Sequence, residues 1–175
     1  GSRVHSECIQ AVEQTVTLLE ELGHNVEEAQ PDVNGHALAK GLVVMYSGEI
    51  AAVIDDLKLL LGRKVRPSDV ETMTWTVGLL GRSFSAGRFV KAKREWELAG
   101  RIMGRFHKNF DLYLTPTVAY PPVKIGELAL KPIVKALLNP INALGLGRLL
   151  IASGITDKLA VENLAQTPFT QLANF

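Results

Sequence analysis

FDLYLTPTVAYPPV, residues 110–123, is the stretch that sets the fold class of this chain. Leu112, Tyr113 and Leu114 form a short apolar run that stops at Thr115-Pro116-Thr117. Short runs rich in aliphatic and aromatic residues, closed by turn formers, read as strands. Pro116 has no N–H to give to a ladder, so sheet pairing is expected to end there. The reading places a strand at about 111–116. A second is expected at about 24–29, where His24 to Ala29 lies between Gly23 and Pro31 and Val26 turns to a core.

Outward from these runs, the pattern is helical. Ile9, Val12, Val16, Leu19 and Leu22 recur at three and four residues, one face of a helix over Ser6 to Leu22. Ser6 suits its N-cap and Gly23 its left-handed stop. Asn34 to Leu61 carries a broad apolar stripe, in which Gly41 and Gly48 argue against one unbroken helix. Ser68-x-x-Glu71 reads as a capping box opening a helix through Leu80.

From Ser85 to Phe110 the seam is the most regular of all. Phe89, Ala92, Trp96, Ala99, Met103, Phe106 and Phe110 alternate at three and four, as on a helix lying along another helix. The opposite face is charged, with Lys91/Glu95 and Glu97/Arg101 at ion-pair spacing. A glycine-punctuated helical region follows from about Lys131 to Leu164. The expected class is α/β and predominantly helical, at least four helices against two short strands.

The bulk numbers describe a soluble, globular chain of one domain, or one large piece of a bigger one. Of 175 residues, 47% are hydrophobic and 21% charged. A net charge of +1 gives no electrostatic case for nucleic acid or a membrane surface. Cys8 is alone, which excludes an internal disulfide and points to a reducing, cytoplasmic setting. The most apolar window is read at about 143–155, shorter than the ~20 residues of a membrane span. No basic and apolar leader opens the chain. Gly1-Ser2 reads as the remnant of a cleaved tag, leaving 3–175 as a partial domain.

Catalytic patterns are approached and missed. Gly145-x-Gly147 lacks the third glycine and the preceding strand of a dinucleotide fingerprint, so it reads as a flexible helix junction. Gly81-Arg82-Ser83-Phe84-Ser85 lacks the closing glycine of a nucleophile elbow, and Ser85 reads as a helix cap. His5, His24, His36 and His107 have no metal-ligand spacing. Asp55 and Asp56 are adjacent on a helix and point apart. No catalytic set, metal or cofactor is expected from these residues.

The order of several modest motifs carries a resemblance. Val4-His5-Ser6-Glu7-Cys8, Leu22-Gly23-His24-Asn25-Val26-Glu27 and Ser85-Ala86-Gly87 come first. Asp111-Leu112-x-Leu114-Thr115-Pro116-Thr117, Pro122-Val123-x-Ile125-Gly126-Glu127 and the run from Thr167 to Phe175 follow. Together they resemble the C-terminal part of an amidase signature enzyme, in particular the 6-aminohexanoate cyclic dimer hydrolases and related bacterial amidases.

The resemblance implies a mixed-sheet fold and hydrolysis of a carboxamide C–N bond through a serine acyl-enzyme. In the family two serines and a lysine perform that chemistry, and signature backbone N–H groups hold the oxyanion. Nothing in this sequence matches that signature, so no catalytic residue carries over and the chain alone is expected to be inactive. Thr115 and Thr117 are the residues expected to face a small amide substrate. A severed half would expose apolar faces and is expected to self-associate, as a dimer or larger. The alternative is a stand-alone helical interaction or dimerisation domain without enzymatic activity.

Overall fold

The structure, a computed structural model, describes residues 3–155, 157 and 167–173. Six α-helices occur among them: α1 (Ser6–Glu21), α2 (Gly35–Leu61), α3 (Thr72–Ser83), α4 (Ala86–Phe106), α5 (Pro132–Leu144) and α6 (Gly147–Ala152). Short 3-10 turns cover Pro67–Asp69 and Thr170–Ala173.

No strand is present among the described residues, which overturns the α/β expectation. Both proposed strands, 24–29 and 111–116, are irregular backbone. The physical reason is the absence of a neighbour. A strand exists through its ladder partners, whereas here His24, Asn25, Glu27, Glu28 and Leu112 face solvent. Val26 reaches only half burial. Alternation and β-propensity describe residues suited to a pleated surface, and no such surface forms here.

α2 is the axis of the molecule, packing most extensively on α3 and then on α4. It is one unbroken helix of 27 residues, against the expectation set by its glycines. Asn34 caps it, its Oδ1 accepting from Ala37 N at 3.0 Å, and Gly62 ends it at φ 62°. The glycines lie where partners come close. A Cβ on Gly41 would sit 3.2 Å from the Trp96 indole nitrogen, and one on Gly48 would sit 3.1 Å from the Phe89 ring. α4 thus runs antiparallel to α2. Leu38, Val44 and Met45 meet Ala92, Trp96 and Ala99 in one buried cluster, with Phe89 and Leu172 at its edge.

α3 lies antiparallel to α2 on another side, and the approach is closer still. A Cβ on Gly78 would stand 2.5 Å from Ile54 Cδ1, and one on Gly81 would overlap the backbone of Ser47. Ser47 is buried at this crossing. Leu80 continues the layer to Leu138 of α5 and Leu150 of α6. The polar contact between α3 and α5 is closed. Asn142 Nδ2 donates to Thr76 Oγ1 at 2.9 Å and to Thr72 O at 3.2 Å.

α2 is also long and apolar enough to cross a bilayer, with a mean hydropathy of 1.6 in its most apolar window. The sequence reading overlooked it in favour of 143–155. Its inward residues Leu38, Val44, Met45, Ala51 and Ile54 are buried in this layer, the setting of a core helix. α1 stands apart, with no buried residue. His5 N donates to Ala119 O at 2.7 Å, tying its start to the loop after α4.

Candidate functional site

Two places on the molecule gather side chains that could meet a ligand: the loop after α4 and a groove between α2 and α3. The loop begins where α4 stops, at Phe106 rather than at the expected Phe110. Phe106 stacks on Phe110 with ring centroids 4.7 Å apart and meets Tyr113 edge-on at 5.3 Å. The aromatic seam read as helical therefore turns back on itself. His107 Nδ1 lies 3.0 Å from Phe110 O and fastens the turn. Burial pushes the Tyr113 phenol above its ordinary value.

Beyond this aromatic knot, Thr115 is half-buried and Thr117 exposed. They are two residues apart on irregular backbone, flanking Pro116. Ala119 is wholly buried beneath the start of α1. Further on, Lys124 N donates to Glu127 Oε2 at 2.8 Å, and Gly126 takes φ 84°. Val123-x-Ile125-Gly126-Glu127 is thus a self-closed turn, with Ile125 fully in solvent.

The remaining sequence candidates are scattered by the fold. Ser85 is the N-cap of α4, its Oγ accepting from Arg88 N at 3.2 Å. Ser83 Oγ donates to Leu79 O at 2.8 Å within α3. His5, not Ser6, caps α1: its Nδ1 accepts from Glu7 N at 3.3 Å, because Ser6 is already inside the helix. Asp69 closes on the Arg66 N–H, so the box read from Ser68 and Glu71 forms two residues earlier, around Pro67–Asp69. Among the described residues no group of His, Cys, Asp and Glu is arranged to hold a metal. The ion pairs expected at Lys91/Glu95 and Glu97/Arg101 are also unformed among the described residues.

Gly145-x-Gly147 is a tight junction rather than a flexible one. Gly145 ends α5 at φ 67°, and Gly147 is buried where a Cβ would strike Leu79 O and Ser83. The part of the 131–164 region beyond Ile155, Asp157 excepted, lies outside the described residues.

The groove was not read from the sequence. It encloses about 630 Å³, with Asp55 and Lys58 on α2, Trp75, Leu79 and Arg82 on α3, and residues 62–65 across its end. Arg82 bonds Asp55 at 2.8 Å, its guanidinium 5.6 Å from the Trp75 ring centre. Arg63 grips both oxygens of Asp69 at 2.8 Å. These bonds, with the Arg66 N–H at 2.7 Å, hold the Asp69 carboxyl far below its ordinary range. The sequence signal was present as two facing periodicities, 55/58/62 and 75/79/82, but only the antiparallel crossing brings them together.

With the helical layer and its loop described, relatedness gives the class: residues 1–151 match the amidase family, and the chain belongs to it. Among curated relatives, a lipoamidase of Enterococcus faecalis is 27% identical over 99% of this chain and 24% of its own length. A 6-aminohexanoate-cyclic-dimer hydrolase of Pseudomonas sp. (strain NK87) is 31% identical over 71% of this chain and 26% of its own. The enzyme of that name from Paenarthrobacter ureafaciens matches equally, at 31% over the same shares. The chain therefore spans about a quarter of the length of these relatives. No solved structure matches it.

Proposed function

We propose that this chain is the helical, C-terminal share of an amide hydrolase that cleaves a carboxamide C–N bond through a serine acyl-enzyme. The serines, the lysine and the oxyanion-hole backbone come from outside these residues, and the chain alone is inactive. The family match over 1–151, in a chain a quarter the length of its relatives, carries the reading.

Thr115 and Thr117 face the substrate in this reading, on a loop stiffened by Pro116, Pro121 and Pro122. The substrates to try first are those named in the relatives, lipoamide and the 6-aminohexanoate cyclic dimer. Assaying the full-length protein tests the function directly, and a folded enzyme hydrolysing neither these nor simple linear amides ends the proposal. Thr115→Val with Thr117→Val is expected to raise KM several-fold, on the order of a lost hydrogen bond each. An unchanged KM removes the threonines from the site while leaving the function standing.

The alone-standing piece also self-associates. Leu59 and Leu60 at the end of α2 are 78% and 83% exposed, and Leu22 after α1 is 66% exposed. Large apolar side chains left this exposed support a reading in which they find cover on a second copy. Sedimentation of the 175-residue chain is expected to show a dimer or larger species, and a clean monomer at high concentration refutes it.

A further inference from the structure

The groove between α2 and α3 has the features of an anion site, independent of amide hydrolysis. Four cations line it, Lys58, Arg63, Lys64 and Arg82, against one carboxylate, Asp55. Arg82 is neutralised by Asp55, and Arg63 by Asp69 just outside the lining. Lys58 and Lys64 have no carboxylate within ion-pair reach among the described residues, so two positive charges remain unbalanced on the groove. Unbalanced charge of one sign along a low-dielectric wall focuses the field and concentrates counter-ions.

The walls supply the other half of the recognition. Val65 and Leu79 are each only 8% exposed and form the apolar floor beside the Trp75 indole. Arg82 shields one side of that ring and is itself fixed by Asp55. The Arg63–Asp69 fork, with Arg63 Nη1 also donating to Lys64 O at 3.0 Å, sets the end loop before any ligand arrives. These bonds hold the rim and the end loop in place, while the Lys58 and Lys64 side chains stay free to turn toward an anion. The volume lies within the range of small-molecule sites, about 300–1,000 Å³.

We propose that this groove binds a monocarboxylate with a hydrocarbon body, the carboxylate between Lys58 and Lys64 and the chain along Val65, Trp75 and Leu79. A neutral amide of the same length keeps the apolar contact and loses the charge. A primary ammonium ion of that length is repelled.

The experiment titrates the 175-residue chain with hexanoate, hexanamide and hexylammonium, following the backbone amides of Gly62 and Trp75 and the Trp75 indole by NMR. Hexanoate is expected to give a saturable shift at millimolar concentration, with hexanamide about tenfold weaker. Lys58→Gln with Lys64→Gln is expected to weaken hexanoate about fivefold at unchanged helicity, both side chains being exposed. Raising the salt to about 0.5 M weakens it in the wild type as well, a second readout that needs no variant. No saturable shift, equal binding of hexanamide, or unchanged affinity in the double variant overturns the proposal. Hydrolysis by the full-length protein is read separately, so either proposal can fail without the other.

Discussion

Leucine and isoleucine in the α2–α3 seam and in the stretch from His107 to Lys131 end at opposite extremes of burial. In the seam, Ile54 and Leu80 are 1% and 2% exposed. In the stretch, Leu112 is 85% exposed and Ile125 fully so. The residue types are the same, and what differs is a neighbour. Glycines at 78 and 81 let two helices approach until backbone touches backbone, whereas the loop has the Phe106–Phe110–Tyr113 knot and the bond from His5 to Ala119. The seam is complete within this chain. The loop leaves Leu112 and Ile125 uncovered among the described residues.

The largest effect should come from forcing the seam apart. Gly81→Ala drives a methyl into the Ser47 backbone and is expected to cost about 3 kcal/mol, read by urea denaturation followed by circular dichroism. The same change at Gly104, in α4 with open space around it, is expected to stabilise by about 0.5–1 kcal/mol. If the two substitutions behaved alike, the close crossing would be wrong.

Next is the buried polar contact. Asn142→Ala removes the amide that bonds Thr76 Oγ1 and Thr72 O across the α3–α5 contact, leaving Thr76 Oγ1 its bond to Thr72 O, and is expected to cost about 1–2 kcal/mol.

The turn after α2 provides a pH test. The Asp69 carboxyl is held below its ordinary 3.8, chiefly by the Arg63 side chain and then by the Arg66 N–H. A depressed carboxyl contributes stability that is fully present above its unfolded value and is lost as pH falls through the folded one. Wild-type chain should therefore weaken on acidification below about pH 4, and Asp69→Asn should lose that component of the slope. The Arg66 amide shift follows the group directly.

At the small end, Leu112→Ser and Ile125→Ser are expected to change stability by less than about 0.5 kcal/mol, as surface substitutions do. A loss above about 2 kcal/mol at either would show the loop to be a packed element of the isolated chain.

Several features were legible from residue order because they depend on local rules. Gly23 takes positive φ after α1, Ser85 caps α4 with its side chain, and Ala92, Trp96 and Ala99 face α2 at the expected spacing. Family membership was legible from the order of motifs along the chain. The strands were not, since 24–29 and 111–116 look alike on paper whether or not anything lies beside them. Gly41 and Gly48, read as weak points in α2, are contact points for α4. The groove stayed hidden because Lys58 and Trp75 belong to different helices whose crossing no local pattern encodes.

By itself, then, the sequence determined which segments are helical, the extent of α1 and α2, and which family the chain belongs to. Those properties follow from backbone capping, from side-chain period and from motif order. Only the tertiary structure decided that no sheet forms among the described residues, that glycines mark the closest crossings, and that unbalanced lysines share a groove with an indole. Each of these is set by what lies across a contact, and a linear chain carries no direct record of its neighbours in space.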